Sequence, residues 1–261
     1  MATVFDIKNA LNEYFPFCEA EVWDNSGLLV DGGNEISKII VALDATNSVI
    51  NEAKGLGAEL IVSHHPIIFH PLKTLCANEP SVNAVKNSIS IISAHTNYDI
   101  SSFGADQQLS SILKEKLGFE NEGFLETTQS APISRGFGRY GKLKKEYSSE
   151  EFALVLKDIF NCQHIRFVSS SKKINKIAFC CGGGSEYLEK AQSLMCDAFI
   201  TADVKHSAFI SASNTGTALY APTHYQMEKP AMKNMADLLL RLFPDIEIVQ
   251  SKNECEPSKI I

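Results

Sequence analysis

The stretch Leu60-Ile61-Val62-Ser63-His64-His65-Pro66 decides how this chain is read. A short run of branched apolar residues that ends on a proline has the length and composition of a buried strand. Two adjacent imidazoles stand at its carboxyl end, where open α/β sheets place their ligands. Upstream lie a second apolar run at 39–42 and a helical pattern at 48–56. Strand, helix and strand in this order predict a βαβ unit in a largely parallel sheet, an α/β fold class.

The same succession returns at 177–181, 187–195 and 198–201. Laying 38–65 on 176–203 at a constant offset of 138 needs no gap. It matches Lys38 with Lys176, Ile39 with Ile177, Ala53 with Ala191 and Leu56 with Leu194, and conservatively Glu59 with Asp197 and Ser63 with Thr201. A further apolar run follows each unit. The first leads into His95-Thr96-Asn97-Tyr98-Asp99 and the second into His224-Tyr225-Gln226-Met227-Glu228, at an offset of 129. Both are His-x-x-x-carboxylate after a strand. The pattern predicts two related α/β halves, 1–125 carrying His64, His65 and Asp99, and 126–261 carrying His224 and Glu228, with a pocket between them. The junction is expected within 122–135, where Thr127-Thr128-Gln129-Ser130 and Pro132 read as a linker.

His64, His65, His95, Asp99, His224 and Glu228 together form a nitrogen-and-oxygen donor set that suits zinc, iron, manganese, nickel or cobalt and could hold two divalent ions. Each residue alone has a plainer role: a histidine before proline ends a strand, and Asp99 or Glu228 caps a helix. Adjacent histidines and two matching pairs, all at strand ends, favour an open metal site whose default chemistry is hydrolysis. His70 and His164 read as structural or solvent-exposed. Asp203 and His206, at the second strand end, read as pocket-lining. Gly182-Gly183-Gly184 could offer backbone N–H groups to a phosphate and Gly136-Phe137-Gly138-Arg139 a guanidinium to an anionic substrate, and tight turns explain these glycines about as well.

The 261 residues carry a formal charge of −7, which argues against a nucleic-acid partner. The seven cysteines, Cys18, Cys76, Cys162, Cys180, Cys181, Cys196 and Cys255, are odd in number and lack a CxxC pair. They point to a reduced, cytoplasmic protein. The amino terminus reads as an amphipathic helix over 3–11 without a signal-peptide core, and no apolar run suits a membrane.

The motifs together resemble those of the GTP cyclohydrolase I type 2 family, also called the NIF-three-like dinuclear metal proteins. The resemblance spans essentially the whole chain. It rests on Trp23-Asp24-Asn25-Ser26-Gly27-Leu28, Ser63-His64-His65-Pro66 with Phe69, the His95 and His224 segments, Gly136-Phe137-Gly138-Arg139 and Gly182-Gly183-Gly184-Ser185. It implies two interlocked α/β domains whose ligand-bearing strand ends face a shared cleft, a toroidal homohexamer, and two divalent ions per chain held by His64, His65, Asp99, His224 and Glu228. His95 becomes a catalytic acid or base beside them. Ala202, Ser207, Thr223 and Met227 depart from the family pattern, and none of them removes a ligand. The resemblance implies a hydrolase of a nucleotide or small phosphate ester. The alternative is a non-catalytic ring with a regulatory, partner-binding or metal-handling role. A nucleotide-dependent oxidoreductase is disfavoured because no dinucleotide fingerprint follows either strand.

Overall fold

Glu59 and Asp197 show why two stretches 138 residues apart fold alike. In the computed structural model, which describes residues 2–128, 131 and 135–259, Glu59 Oε2 accepts hydrogen bonds from the amides of Ser37 and Lys38, both at 3.0 Å. Asp197 Oδ2 accepts from the amides of Asn175 (3.1 Å) and Lys176 (2.8 Å), the positions equivalent to Ser37 and Lys38. In each case a carboxylate at the start of one strand satisfies the backbone donors that open its neighbour.

The strands that follow keep the correspondence. Lys38–Ala42 pairs in parallel with Leu60–Ser63, Ile39 opposite Leu60, while Ile177 in Ile174–Phe179 lies opposite Ala198 in Ala198–Ile200. A third parallel strand completes each set: Ser90–Ser93 with Leu60 opposite Ser90, and Ala218–Ala221 with Ala198 opposite Ala218. The third strands therefore correspond at an offset of 128, and one extra residue precedes His224, which gives the offset of 129 between the histidines.

The crossover helices differ more. Asn47–Leu56 is capped by Thr46, whose hydroxyl accepts from the Val49 amide, and it ends at Gly57 in the left-handed region that favours glycine. Its counterpart, Leu188–Ser193, is shorter and is preceded by a single 3-10 turn at Ser185–Tyr187.

The chain divides into two compact units, Met1–Phe103 with Ala231–Ile261, and Gly104–Pro230. These differ from the expected halves 1–125 and 126–261. The reason lies in pairing: the strand Glu247–Gln250 adds in parallel to Lys38–Ala42, Ile248 opposite Ile39, and carries the helix Ala231–Leu242 back with it. The expected junction is partly strand (Glu120–Gly123), and Gln129, Ser130 and Pro132 lie outside the described residues.

The first unit holds a five-stranded sheet in the order Glu247–Gln250, Lys38–Ala42, Leu60–Ser63, Ser90–Ser93, Gly27–Val30, in which the last strand alone is antiparallel. Its central strands are buried throughout (Ile39, Ile40, Val41, Ile61, Val62, Ile91 and Ile92 are all fully shielded), as a sheet covered on both faces requires. The amino-terminal helix, Val4–Tyr14, starts at a capping box formed by Thr3 and Asp6 and buries Val4, Ile7 and Leu11.

The second unit holds six strands, and here the expectation of a largely parallel sheet gives way. Three central parallel strands are flanked by Arg166–Val168 on one side and by Arg139–Tyr147 and then Glu120–Gly123 on the other, each antiparallel to the strand it pairs with. The sequence of Arg139–Tyr147 fits this role. Buried Arg139, Gly141 and Leu143 alternate with partly or fully exposed Tyr140, Lys142 and Lys144, the pattern of a strand with one wet face. Among the described residues no helix is long and apolar enough to cross a membrane.

Burial alone would push the Glu59 carboxyl up, but the amides of Ser37 and Lys38 outweigh it and hold it below the ordinary value of 4.5. Its charge therefore stabilises the fold fully above pH 4.5, and that stabilisation fades as pH falls through the lower folded value. Glu59→Gln is expected to cost about 1 kcal/mol in urea unfolding at pH 7, with the difference from wild type shrinking in the same melts below pH 4.

Candidate metal centre

Each candidate histidine is oriented by an oxygen acceptor at its Nδ1. The strand Leu60–Ser63 ends directly at His64, which is almost fully buried and has Nδ1 2.8 Å from the carbonyl oxygen of Ala94. A carbonyl can only accept, so Nδ1 carries the proton and Nε2 presents its lone pair. His65 places Nδ1 2.8 Å from Asp44 Oδ1, and His95 places Nδ1 2.8 Å from Asp24 Oδ1. Partners of this kind fix tautomer and ring orientation in metal-binding histidines. The donor nitrogens of His64, His65 and His95 all lie within 4.8 Å of one another, so this group could hold a metal ion. Asp99, at the end of the short helix Thr96–Asp99, brings Oδ1 to 3.5 Å from His64 Nε2.

Asp24 organises the His95 side of the cluster. Its fully buried carboxylate accepts from His95, from the Thr96 amide (3.1 Å) and hydroxyl (2.6 Å), from Ser26 Oγ (3.0 Å) and from the Asn25 amide (2.7 Å). Burial pushes its pKa up, but the hydrogen bond to His95 and the charge of the imidazolium, joined by Thr96, hold it well below the usual carboxylate range.

In the second unit, His224 opens the five-residue helix His224–Glu228 after the strand Ala218–Ala221. Thr223 caps that helix: its hydroxyl accepts from the Gln226 amide, and the Gln226 side chain accepts from the Thr223 amide. Thr223 thus supplies the helix start. One helical turn separates His224 from Glu228, so both face the same way. His224 Nδ1 lies 2.6 Å from Asp203 Oδ2, and its Nε2 lies 2.8 Å from Glu228 Oε2.

That second contact tests the fit of a metal ion. With Nδ1–H donated to Asp203, a neutral His224 turns a lone pair toward a nearly buried carboxylate, and two acceptors at hydrogen-bond distance repel unless a proton or a cation lies between them. The donors are imidazole and carboxylate with no thiolate, which fits the divalent metals named above.

Gly182 belongs to the same construction. Its φ of +67° suits glycine, and a Cβ there would run into the Glu228 carboxylate and approach the His224 ring to 3.3 Å. The glycine loop therefore makes room for the histidine and carboxylate pair. Its expected role as a phosphate cradle is weakened, because the Gly184 amide is already donated to Thr201 Oγ1 at 3.0 Å.

Arg139 also differs from expectation. It is 5% exposed, with its guanidinium 4.7 Å over the Phe124 ring and beside buried Asp106, which accepts from the amides of Gly138 (2.6 Å) and Cys181 (2.8 Å). The cluster braces the strand rather than presenting a cation to solvent. His70 and His164 are exposed, as expected, and His206, read as pocket-lining, is exposed at the start of the helix His206–Thr215.

Sequence reasoning missed Asp24 and Asp44 as orienting groups and treated Asp203 only as pocket-lining. The signal for two of them was available: Asp44 and Asp203 both stand just beyond the carboxyl ends of strands, where Asp203 aligns with His65. Asp24 sits in a loop whose partner His95 is 71 residues away, and nothing in the spacing links them.

The parallel strand sets and the histidine–carboxylate groups at their ends define an α/β protein with nitrogen-and-oxygen groups that could hold a metal ion. The Duf34/NIF3 (NGG1p interacting factor 3) family matches residues 2–257, and the chain belongs to that family. It is 32% identical over 263 residues to the GTP cyclohydrolase 1 type 2 homolog of Clostridium perfringens, covering 98% of both chains. It is 32% identical over 247 residues to the GTP cyclohydrolase 1 type 2 of Helicobacter pylori strain J99, covering 92% of each. Among solved structures it resembles Staphylococcus aureus hypothetical protein SA1388, with a TM-score of 0.88 and 26% identity over 99% of both chains.

Asp203→Asn is expected to lower divalent-metal affinity about 10- to 100-fold by chelator competition, since it loosens the hold on His224. Gly182→Ala is expected to lower it as well while the far-ultraviolet circular dichroism stays at wild type.

Proposed function

We propose that this chain is a metal-dependent hydrolase of a nucleotide or small phosphate ester, holding two divalent ions through His64, His65, Asp99, His224 and Glu228. The observation that carries the reading is the shared tethering of His64, His65, His95 and His224 at Nδ1, which fixes the orientation of each ring as metal-binding histidines require. Membership of the family and the names of the Clostridium and Helicobacter relatives support the hydrolytic assignment.

Bound divalent ions supply Lewis acidity, lower the pKa of a coordinated water and screen the negative charge of a phosphate. The chain's own residues do the rest. Asp44 and Asp203 hold His65 and His224 in one ring orientation, so no rotamer search precedes binding. Asp24 fixes His95 at Nδ1, which leaves Nε2 as the ring atom that exchanges a proton with substrate. Asp24 stays ionised because its pKa is depressed, and it stabilises the imidazolium that forms when His95 takes up a proton.

Six copies assembling into a ring belong to the same proposal and rest on the family resemblance. A second reading, a metal-binding protein that acts through partners, is favoured by the interacting-factor description of the family.

Elemental analysis of protein reconstituted with zinc, manganese, iron, nickel or cobalt is expected to find about two ions per chain, both lost in Glu228→Ala. Light scattering is expected to count six chains per particle. His95→Asn should keep the ions and lose about 10²- to 10⁴-fold in kcat on whichever member of a panel of nucleotides and phosphomonoesters is turned over. Two ions per chain with no turnover across the panel would overturn the hydrolase and leave the partner-binding protein standing.

A further inference from the structure

Metal binding does not account for two aromatic side chains beside His95. Trp23 is 60% exposed and Phe69 39% exposed, although each would gain from burial. Their ring centroids are 6.0 Å apart with planes inclined at 51°. Both stand edge-on to the His95 ring, Trp23 at 6.2 Å and 77°, Phe69 at 6.1 Å and 79°. His95 in turn lies 5.2 Å from the ring of His64 and 5.6 Å from that of His65. Two open aromatic faces therefore border the histidine cluster within one unit of the chain.

The pair is held in place by the segment that positions His95. Asp24, next to Trp23, grips His95 and Thr96, and Asn25 Nδ2 donates to the carbonyl oxygen of Ile68, the residue before Phe69, at 2.5 Å. The loops bearing both rings are thus tied together before any ligand arrives, so little ordering cost falls on binding. The surroundings also limit what such a wall can recognise. Asp24, Asp44 and Asp99 are carboxylates of the same cluster, and the chain carries a net charge of −7, so an anionic ligand gains little from the protein's own charge. Ring faces supply affinity that does not depend on charge.

We propose that Trp23 and Phe69 form a stacking wall that binds the flat, conjugated ring of a heteroaromatic ligand and sets its reactive group beside Nε2 of His95. The inference rests on the hydrolase reading for what happens to that ligand, but the binding itself is measurable without turnover. Recognition by faces rather than polar edges tolerates different heteroaromatic rings and discriminates against saturated ligands.

Trp23 is the only tryptophan in the chain, so its fluorescence reports on this wall alone. Metal-loaded protein is titrated with AMP and GMP, and separately with ribose 5-phosphate, which keeps the sugar and phosphate and lacks the ring. The nucleotides are expected to quench the emission saturably and ribose 5-phosphate is not. Phe69→Ala is expected to weaken AMP binding about tenfold by calorimetry, with bound metal unchanged, and Phe69→Tyr to restore it. Equal affinity for AMP and ribose 5-phosphate, or no saturable quenching by either nucleotide, would overturn the wall. So would a change in the number of chains per particle in Phe69→Ala, which would assign the pair to a contact between copies. Quenching that persists in a protein without hydrolytic activity supports the wall and sinks the hydrolase. Turnover without any preference for the ring does the reverse.

Discussion

An imidazole joined to a fixed oxygen at Nδ1 is the interaction on which the rest of this structure turns. A free histidine samples two tautomers and rotates about two bonds, and a metal or proton-transfer site can use only a small part of that range. His64, His65, His95 and His224 each give up that freedom to an oxygen carried on a different segment: the Ala94 carbonyl, Asp44, Asp24 and Asp203. The sheet makes this possible. Ala94 follows the strand Ser90–Ser93, and that strand is registered against Leu60–Ser63 with Ser63 opposite Ser93. A slip of one residue would move every apolar side chain of these strands to the other face and carry His64 away from its acceptor.

The parallel core of this fold was legible in the sequence because it is written in short-range terms. Apolar runs of strand length, a helical period between them and a gapless alignment at 138 identify the βαβ units, and the match of Glu59 with Asp197 proves to be a shared set of hydrogen bonds to the neighbouring strand. The features that escaped are long-range. The return of Glu247–Gln250 to the first sheet depends on pairing with a strand some two hundred residues earlier, and its apolar residues, Ile248 and Val249, fit any edge strand. The antiparallel flanks of the second sheet escaped for the same reason, since alternation tells that one face is wet without telling which strand lies alongside.

The candidate site divides along the same line. Candidate donors announce themselves by type and by position at strand ends, so His64, His65, His95, Asp99, His224 and Glu228 could be named together, and the family resemblance alone set His95 apart. The groups that orient them are harder to see: Asp44 and Asp203 carry only the signal of standing just beyond strand ends, and Asp24 is an ordinary loop carboxylate until the fold brings His95 to within 2.8 Å. Gly182 belongs with them. Its sequence context suggests a phosphate loop, whereas its surroundings show a backbone that must carry no Cβ because a carboxylate occupies the space.

The two units use one scaffold position for different ends, which explains why they offer different numbers of imidazoles. His65 and Asp203 are equivalent at the offset of 138, each just beyond the second parallel strand of its set. In the first unit that position is a candidate donor, oriented by Asp44. In the second it is the orienting carboxylate, and the donor it serves, His224, lies beyond the third strand. Asp203 takes a φ of +50°, a left-handed conformation that costs about 1 kcal/mol for a residue with a Cβ and that aspartate tolerates better than most. The 2.6 Å contact to His224 offsets that strain. A strand set repeated in two places thus presents three candidate histidines in one unit and one with its carboxylates in the other, and the difference arises just beyond the second strand, where the backbones also part: Asp203 is left-handed and His65 is not.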